Sequence, residues 1–89
     1  MHMRHYVRDP NIKVNMTYDG VNHVAVPVWI WWEDKAYKVR EVGKIFTDRV
    51  GTAKLYYYSV NVGNMDMQIK ICHSPFEMVL EWISDGLPD

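Results

Sequence analysis

The stretch whose reading decides the fold class is Ser74-Pro75-Phe76-Glu77-Met78-Val79-Leu80-Glu81-Trp82-Ile83-Ser84-Asp85. It carries two incompatible periods. Ser74 as N-cap, Pro75 at the first helical position and Glu77 completing a capping box would begin a helix. Gly86 and Pro88 would stop it. Its apolar stripe would be Phe76, Val79, Leu80 and Ile83. With period 2 instead, Phe76, Met78, Leu80 and Trp82 face a core, and Glu77 and Glu81 face water. The first reading gives an α+β domain with a helix over residues 75–85. The second gives an all-β domain. Local signals favour the helix slightly and leave both open.

Upstream of this stretch the alternation is consistently that of strands. In Ile12-Lys13-Val14-Asn15-Met16-Thr17-Tyr18 the even positions are apolar. Asp19-Gly20 is a strong two-residue hairpin signal, because a type I′ turn needs positive φ at both central residues. The chain returns through residues 21–32, with Val24, Val26, Val28, Ile30 and Trp32 expected on the core face. Pro27 has no N–H for a ladder, so this strand should be an edge, or bulged, at that point. Glu33-Asp34-Lys35-Ala36 reads as a polar turn that sets Trp32 opposite Tyr37. The apolar phase then moves from Tyr37 and Val39 to Val42 and Phe46, which a β-bulge near Arg40-Glu41 explains, and Gly43 fits a bend there. Residues 47–53 read as a loop. In residues 54–62, Tyr56, Tyr58, Val60 and Val62 share one face while Tyr57 and Ser59 share the other. Gly63-Asn64, glycine first, suits a type II′ turn. Met65, Met67, Ile69 and Ile71 then alternate with Asp66, Gln68, Lys70 and Cys72.

Composition limits what this pattern can build. Eighty-nine residues make one small domain. Such a domain buries about two-thirds of its unfolded surface, so it needs a rich core. Four Trp and six Tyr can supply one. A single cysteine, Cys72, allows no internal disulfide, which points to a reducing cytoplasm. The N-terminus has no apolar signal-peptide stretch. The longest uncharged run, residues 20–32, is 13 residues, too short for a membrane helix. Net charge is −1, giving no global case for nucleic acid. Locally, however, residues 35–54 hold Lys35, Lys38, Arg40, Lys44, Arg49 and Lys54 against Glu41 and Asp48. The chain's end, from Glu77 to Asp89, has four acids and no base. These are either solvated strand faces or, in the basic case, a patch for phosphates.

From Trp32 onward the chain resembles a family of small uncharacterised bacterial β domains. The residues that carry the likeness are Trp32-Glu33-Asp34-Lys35-Ala36-Tyr37-Lys38-Val39-Arg40-Glu41-Val42, then Phe46, Tyr57-Tyr58-Ser59-Val60 with Gly63, and Leu80-Glu81-Trp82-Ile83-Ser84-Asp85. Asp34 stands where that family has a turn glycine, and Met78 where it has an aromatic. The resemblance implies an antiparallel sheet whose last element is a strand. It is nearly silent on activity, although some relatives look like appendages of DNA-repair polymerases. It tips residues 76–83 toward strand.

The residues offer little for catalysis. His2 with His5, and Cys72 with His73, fall short of the converging three or four ligands a zinc site needs. Neighbours in a strand point to opposite faces, so Cys72 and His73 cannot form a nucleophile–base pair. Glu33-Asp34 sits in a turn, and Glu77 and Glu81 read as outward. No cofactor motif is present. What stands out is aromatic surface. If Trp32 faces the core, Trp29 and Trp31 point away from it, and Tyr57 points outward near Lys38 and Arg40. Three explanations compete: a second layer built from His5, Tyr6 and Val7 covers them, a protein partner or another copy does, or they stack nucleic-acid bases.

The expected architecture is an all-β antiparallel meander of about six strands in a twisted sheet or partly closed barrel. Residues 1–10 would form an N-terminal arm, 11–85 the domain and 86–89 a tail. The expected function is non-catalytic binding, through Trp29, Trp31 and Tyr57, of a protein partner or a second copy. The alternative is single-stranded nucleic-acid binding through Lys35, Lys38, Arg40, Lys44, Arg49 and Lys54. Neither a metal, a cofactor nor a membrane enters either reading.

Overall fold

The computed structural model describes residues 3–73 and 76–85, and among these it is all-β, with eight antiparallel strands. The strands are β1 (Arg4–Asp9), β2 (Ile12–Asp19), β3 (Val24–Trp32), β4 (Lys35–Lys38), β5 (Glu41–Val50), β6 (Ala53–Asn61), β7 (Asp66–His73) and β8 (Phe76–Ser84). They form two sheets, not one meander, and do not close into a barrel. One sheet has the order β1-β8-β7-β6-β5, the other β2-β3-β4. The stretch that decided the fold class is strand β8. Ser74, Pro75, Gly86 and Pro88, the would-be helix signals, lie outside the described residues, as does the expected tail 86–89. Residues 4–9 are not a separate arm: they pair with β8 as β1, with Tyr6 opposite Trp82.

The strand count exceeds six because the chain changes sheet at two corners. After Asp9, Pro10-Asn11 carries it from the five-stranded sheet to the three-stranded one. It returns between Val39 and Arg40. The Val39 N–H donates to the Val28 carbonyl at 2.9 Å, and the next N–H, of Arg40, donates to the Asn61 carbonyl at 2.7 Å. Adjacent amides thus serve different sheets. This crossing, not a bulge at Arg40-Glu41, accounts for the shift in apolar phase. A bulge does exist, at Gly43-Lys44, where β5 has one residue more than β6. A side chain on Gly43 would meet the Ser59 carbonyl oxygen at 3.2 Å, so the close approach favours glycine.

The turns show the same mixture of agreement and correction. Asp19-Gly20 does mark a hairpin, but the loop has four residues, 20–23, with Asp19 opposite Val24. The Asp19 carboxylate closes it by accepting from the Val21 N–H at 2.9 Å and the Asn22 side-chain amide at 2.7 Å. Those bonds, the Asn22 side chain first, hold its carboxyl below the ordinary value. Positive φ falls on His23, at 55°. The next turn is only Glu33-Asp34, both with positive φ (50° and 62°). It therefore sets Trp32 opposite Lys35, and Tyr37 opposite Ile30, not Trp32 opposite Tyr37. Residues 47–53 are mostly strand: β5 and β6 continue to a tight turn at Gly51-Thr52. Gly63 adopts positive φ (111°), as a glycine-first turn requires.

Pro27 sits where the ladder is thinnest. β4 pairs with β3 only from Trp29 onward, so Pro27 has a strand on one side alone. There the register with β2 also slips: Asn15 faces Trp29, but Met16 faces Pro27. Val28 is the extra residue. This bulge turns the face over, so Pro27 is buried in place of Val26, and Val24 shifts to the outer face with it.

The inner faces of the two sheets share one core. Ile30 and Leu80 are fully buried, as are Met67 and Ile69, with Tyr58, Val60, Val62 and Ile71 around them. Ile12, Val14, Met16, Trp32, Tyr37 and Val39 pack onto it from the smaller sheet. Two side-chain hydrogen bonds tie the layers. The Tyr58 hydroxyl donates to the Ala25 carbonyl at 2.9 Å. The Trp32 indole N–H donates to Asp9 Oδ2 at 3.0 Å, while Asp9 Oδ1 accepts from the Asn11 N–H at 2.8 Å. Burial, then the neighbouring Tyr56, pushes the Tyr58 hydroxyl above its usual range.

Two outcomes follow. Ile30→Ala should cost about 2–5 kcal/mol of folding free energy, measured by urea unfolding, because it removes the three-stranded sheet's fully buried anchor. Asp9 accepts bonds from Asn11 and Trp32, which hold its carboxyl below the ordinary 3.8. Its stabilisation is therefore complete above that value and is lost as pH falls through the lowered one. The urea midpoint of Asp9→Asn should lie below that of the unmutated protein at neutral pH, and the gap should shrink in acid.

Candidate functional site

The outer face of the three-stranded sheet is built by register. The Glu33-Asp34 turn sets Trp31 opposite Ala36 and Trp29 opposite Lys38. On the other side, Lys13 faces Trp31 and Asn15 faces Trp29. Directly opposed residues of antiparallel strands project to one face. Trp29 and Trp31 therefore stand side by side, away from the core, at a centroid separation of 6.2 Å and an interplanar angle of 27°. That is within the range for offset stacking. The Lys13 ammonium lies 5.2 Å from the Trp31 ring centre. Both tryptophans are half-buried. β1, the segment that could have covered them, belongs to the other sheet.

Tyr57 does not join them. It lies in β6 between Phe46 and Lys70, on the outer face of the five-stranded sheet. The two outer faces point in opposite directions, so Trp29 and Trp31 share a surface, and Tyr57 belongs to another. Nor is it near Lys38. The basic residues are scattered as well. Lys38 lies beside Trp29, and Lys35 opposite Trp32. The Arg40 side chain reaches over Gly63. Lys44 lies over Phe46, 5.5 Å from its ring centre, on the far sheet. Arg49 and Lys54 face each other at the tip of the β5–β6 hairpin. Only Lys35 and Lys38 belong to the strand bordering the tryptophan pair, so the six do not form one patch.

A second group of polar and aromatic residues was not legible from alternation. Period 2 from Leu80 sends Trp82 inward. In the structure Ile69 faces Leu80 but Gln68 faces Trp82, so Glu81 is an extra residue and the face turns over there. Trp82 thus lies on the outer face of the five-stranded sheet, 8% exposed, with the Arg4 guanidinium 4.1 Å from its ring centre. Shallow depressions lie on either side of it, one with Glu41, Ser59, Asn61 and Asp66, the other with Arg4, Tyr6, Asp66 and Ser84. The Glu81 carboxylate receives Lys70 Nζ at 3.1 Å, which holds the Lys70 ammonium above its ordinary value. The consecutive apolar pair Val79-Leu80, both buried, is the trace of this bulge in the sequence.

Cys72 and His73 project to opposite faces. Cys72 is half-buried on the outer side, while His73 packs edge-on against Tyr56, at 5.0 Å between centroids, and Phe76, at 5.6 Å. No cluster of three or more His, Cys, Asp or Glu side chains able to hold a metal occurs among the described residues. No helix there is long and apolar enough to cross a membrane. No family model, curated protein or solved structure matches this chain.

The tryptophan geometry has a spectroscopic consequence. Two indoles this close should give an exciton couplet in far-ultraviolet circular dichroism. Trp29→Phe and Trp31→Phe should each abolish it while leaving the urea midpoint far closer to that of the unmutated protein than Ile30→Ala does.

Proposed function

We propose that this chain is a non-catalytic binding domain that docks a protein partner on the Trp29–Trp31 face. The supporting observation is the stacked tryptophan pair on an outer sheet face, half-exposed and flanked by Lys13 and Lys38. Tryptophan concentrates binding energy at protein interfaces, because it brings a large rigid area and one N–H donor. Lysines beside it suit a partner with apolar side chains next to acidic ones. A cytoplasmic setting belongs to the same proposal, resting on the unpaired thiol of Cys72.

Single-stranded nucleic acid is the second reading, favoured by Lys13 over Trp31 and Lys38 beside Trp29. Stacked bases and phosphates need such a combination. It is the weaker reading because Arg40, Lys44, Arg49 and Lys54 lie elsewhere.

A cell-extract capture with the full chain, compared with Trp29→Ala/Trp31→Ala, separates the two. The proposal expects a protein retained by the first and lost by the double variant, which should remain folded. Oligonucleotide anisotropy should show no binding at low salt. Binding that weakens steeply with added salt would favour nucleic acid instead. Retention unaffected by the double substitution would remove the tryptophan face from consideration.

A further inference from the structure

β5 is the longest strand, ten residues, and it forms one margin of the five-stranded sheet. Among the described residues no strand pairs with its outer side. An open margin is a template for further pairing, and proteins normally blunt theirs. β4 is blunted by its length, four residues. β1 is six residues long, with an irregular register and Arg8 at φ 45°. β5 is different. Beyond its bulge, residues 45–50 run in unbroken register with β6. Residues 46–50 are exposed, Phe46 by 51%.

In this part of β5 the faces are unambiguous. Ile45 faces buried Tyr58 and points inward, and Thr47 shares its face. Phe46 and Asp48 point outward. Lys44 lies over the Phe46 ring and so is on the outer side too.

We propose that this margin is a self-association interface, on which β5 of a second copy pairs antiparallel about a two-fold axis through Phe46. Two constraints select that register. Opposed residues must project to the same face, and a two-fold axis normal to the sheet keeps outer residues outer. The pairing must therefore centre on a residue. Centred on Phe46, it places Lys44 opposite Asp48 twice, Ile45 opposite Thr47 twice, and the two Phe46 rings together. Centred on Ile45, it places Lys44 opposite Phe46. Centred on Thr47, it places Phe46 opposite Asp48. Centred on Asp48, it opposes two carboxylates. Of these, the Phe46 register alone sets Lys44 opposite Asp48, and it leaves Arg49 opposite Gly43. The sheet becomes ten strands, and both three-stranded sheets lie on one side of it. A dimer so built presents two Trp29–Trp31 faces in the same direction, which favours a bivalent partner. The interface itself does not depend on the role proposed for those tryptophans.

Sedimentation equilibrium of the full chain should give twice the monomer mass of 10.5 kDa. Asp48→Lys opposes like charges at two sites and should raise the dissociation constant by roughly tenfold or more. Lys44→Asp should do the same, and the two together should restore association. In a Cys72→Ser background, Phe46→Cys should form an intermolecular disulfide under mild oxidation, whereas Arg49→Cys should not. A folded 10.5 kDa species at every concentration overturns the proposal. So does a dimer that Asp48→Lys leaves intact but Trp29→Ala/Trp31→Ala dissolves, which would place self-association on the tryptophan face.

Discussion

The packing of Ile30 against the inner face of the five-stranded sheet is the contact on which the rest depends. Neither sheet can bury a face alone. Each sheet has one apolar face that must be covered by another layer, and a chain of this length has one core to share. Ile30, fully buried, brings the small sheet to Met67, Ile69 and Leu80. Once that face is committed inward, Trp29 and Trp31 on the same strand must point to solvent. The candidate site is thus a by-product of the core's geometry: one strand cannot bury both faces when only one layer lies beneath it.

The chain reaches this arrangement by changing faces and sheets at defined points. Pro10 and the Val39–Arg40 pair move it between layers. The extra residues Val28 and Glu81, and the bulge at Gly43-Lys44, each reverse the inward–outward alternation. Each reversal has a visible use. At Val28 it lets Pro27, which cannot donate a ladder bond, sit where β4 has ended. At Glu81 it delivers the carboxylate to Lys70 and turns Trp82 outward. At Gly43-Lys44 it brings Phe46 and Asp48 to the outer face and leaves a regular open margin beyond.

Much of the core was legible from period alone, because β6 and β7 are covered on their inner side along most of their length. Tyr58, Val60, Met67, Ile69 and Ile71 are buried where alternation puts them. Residues 47–53 read as a loop in the sequence because the β5–β6 hairpin tip is exposed on both faces, so nothing there selects apolar residues at every second position. Trp82 and Val26 lie on the face opposite to the one alternation gives them for a different reason. A bulge adds one residue to a strand, and its position depends on the partner strand, which a linear pattern does not contain. Trp29 and Trp31 lie on the face away from the core, where alternation puts them, because no bulge intervenes between them and Ile30.

What the sequence determined by itself was local. It set the strand alternation of residues 12–72, the glycine-first turn at Gly63 and the opposition of Trp29 and Trp31 to Ile30. Each depends on residues within one strand or one turn. But it left residues 76–84 open between helix and strand, which only their pairing with β7 decided. What the tertiary structure decided was non-local: two sheets instead of one, the separation of Tyr57 from the tryptophan pair, the dispersal of the six basic residues, and the open margin of β5. These depend on which strands become neighbours. That choice is made by burying the most apolar area in one shared core, a property of the whole chain and of none of its segments.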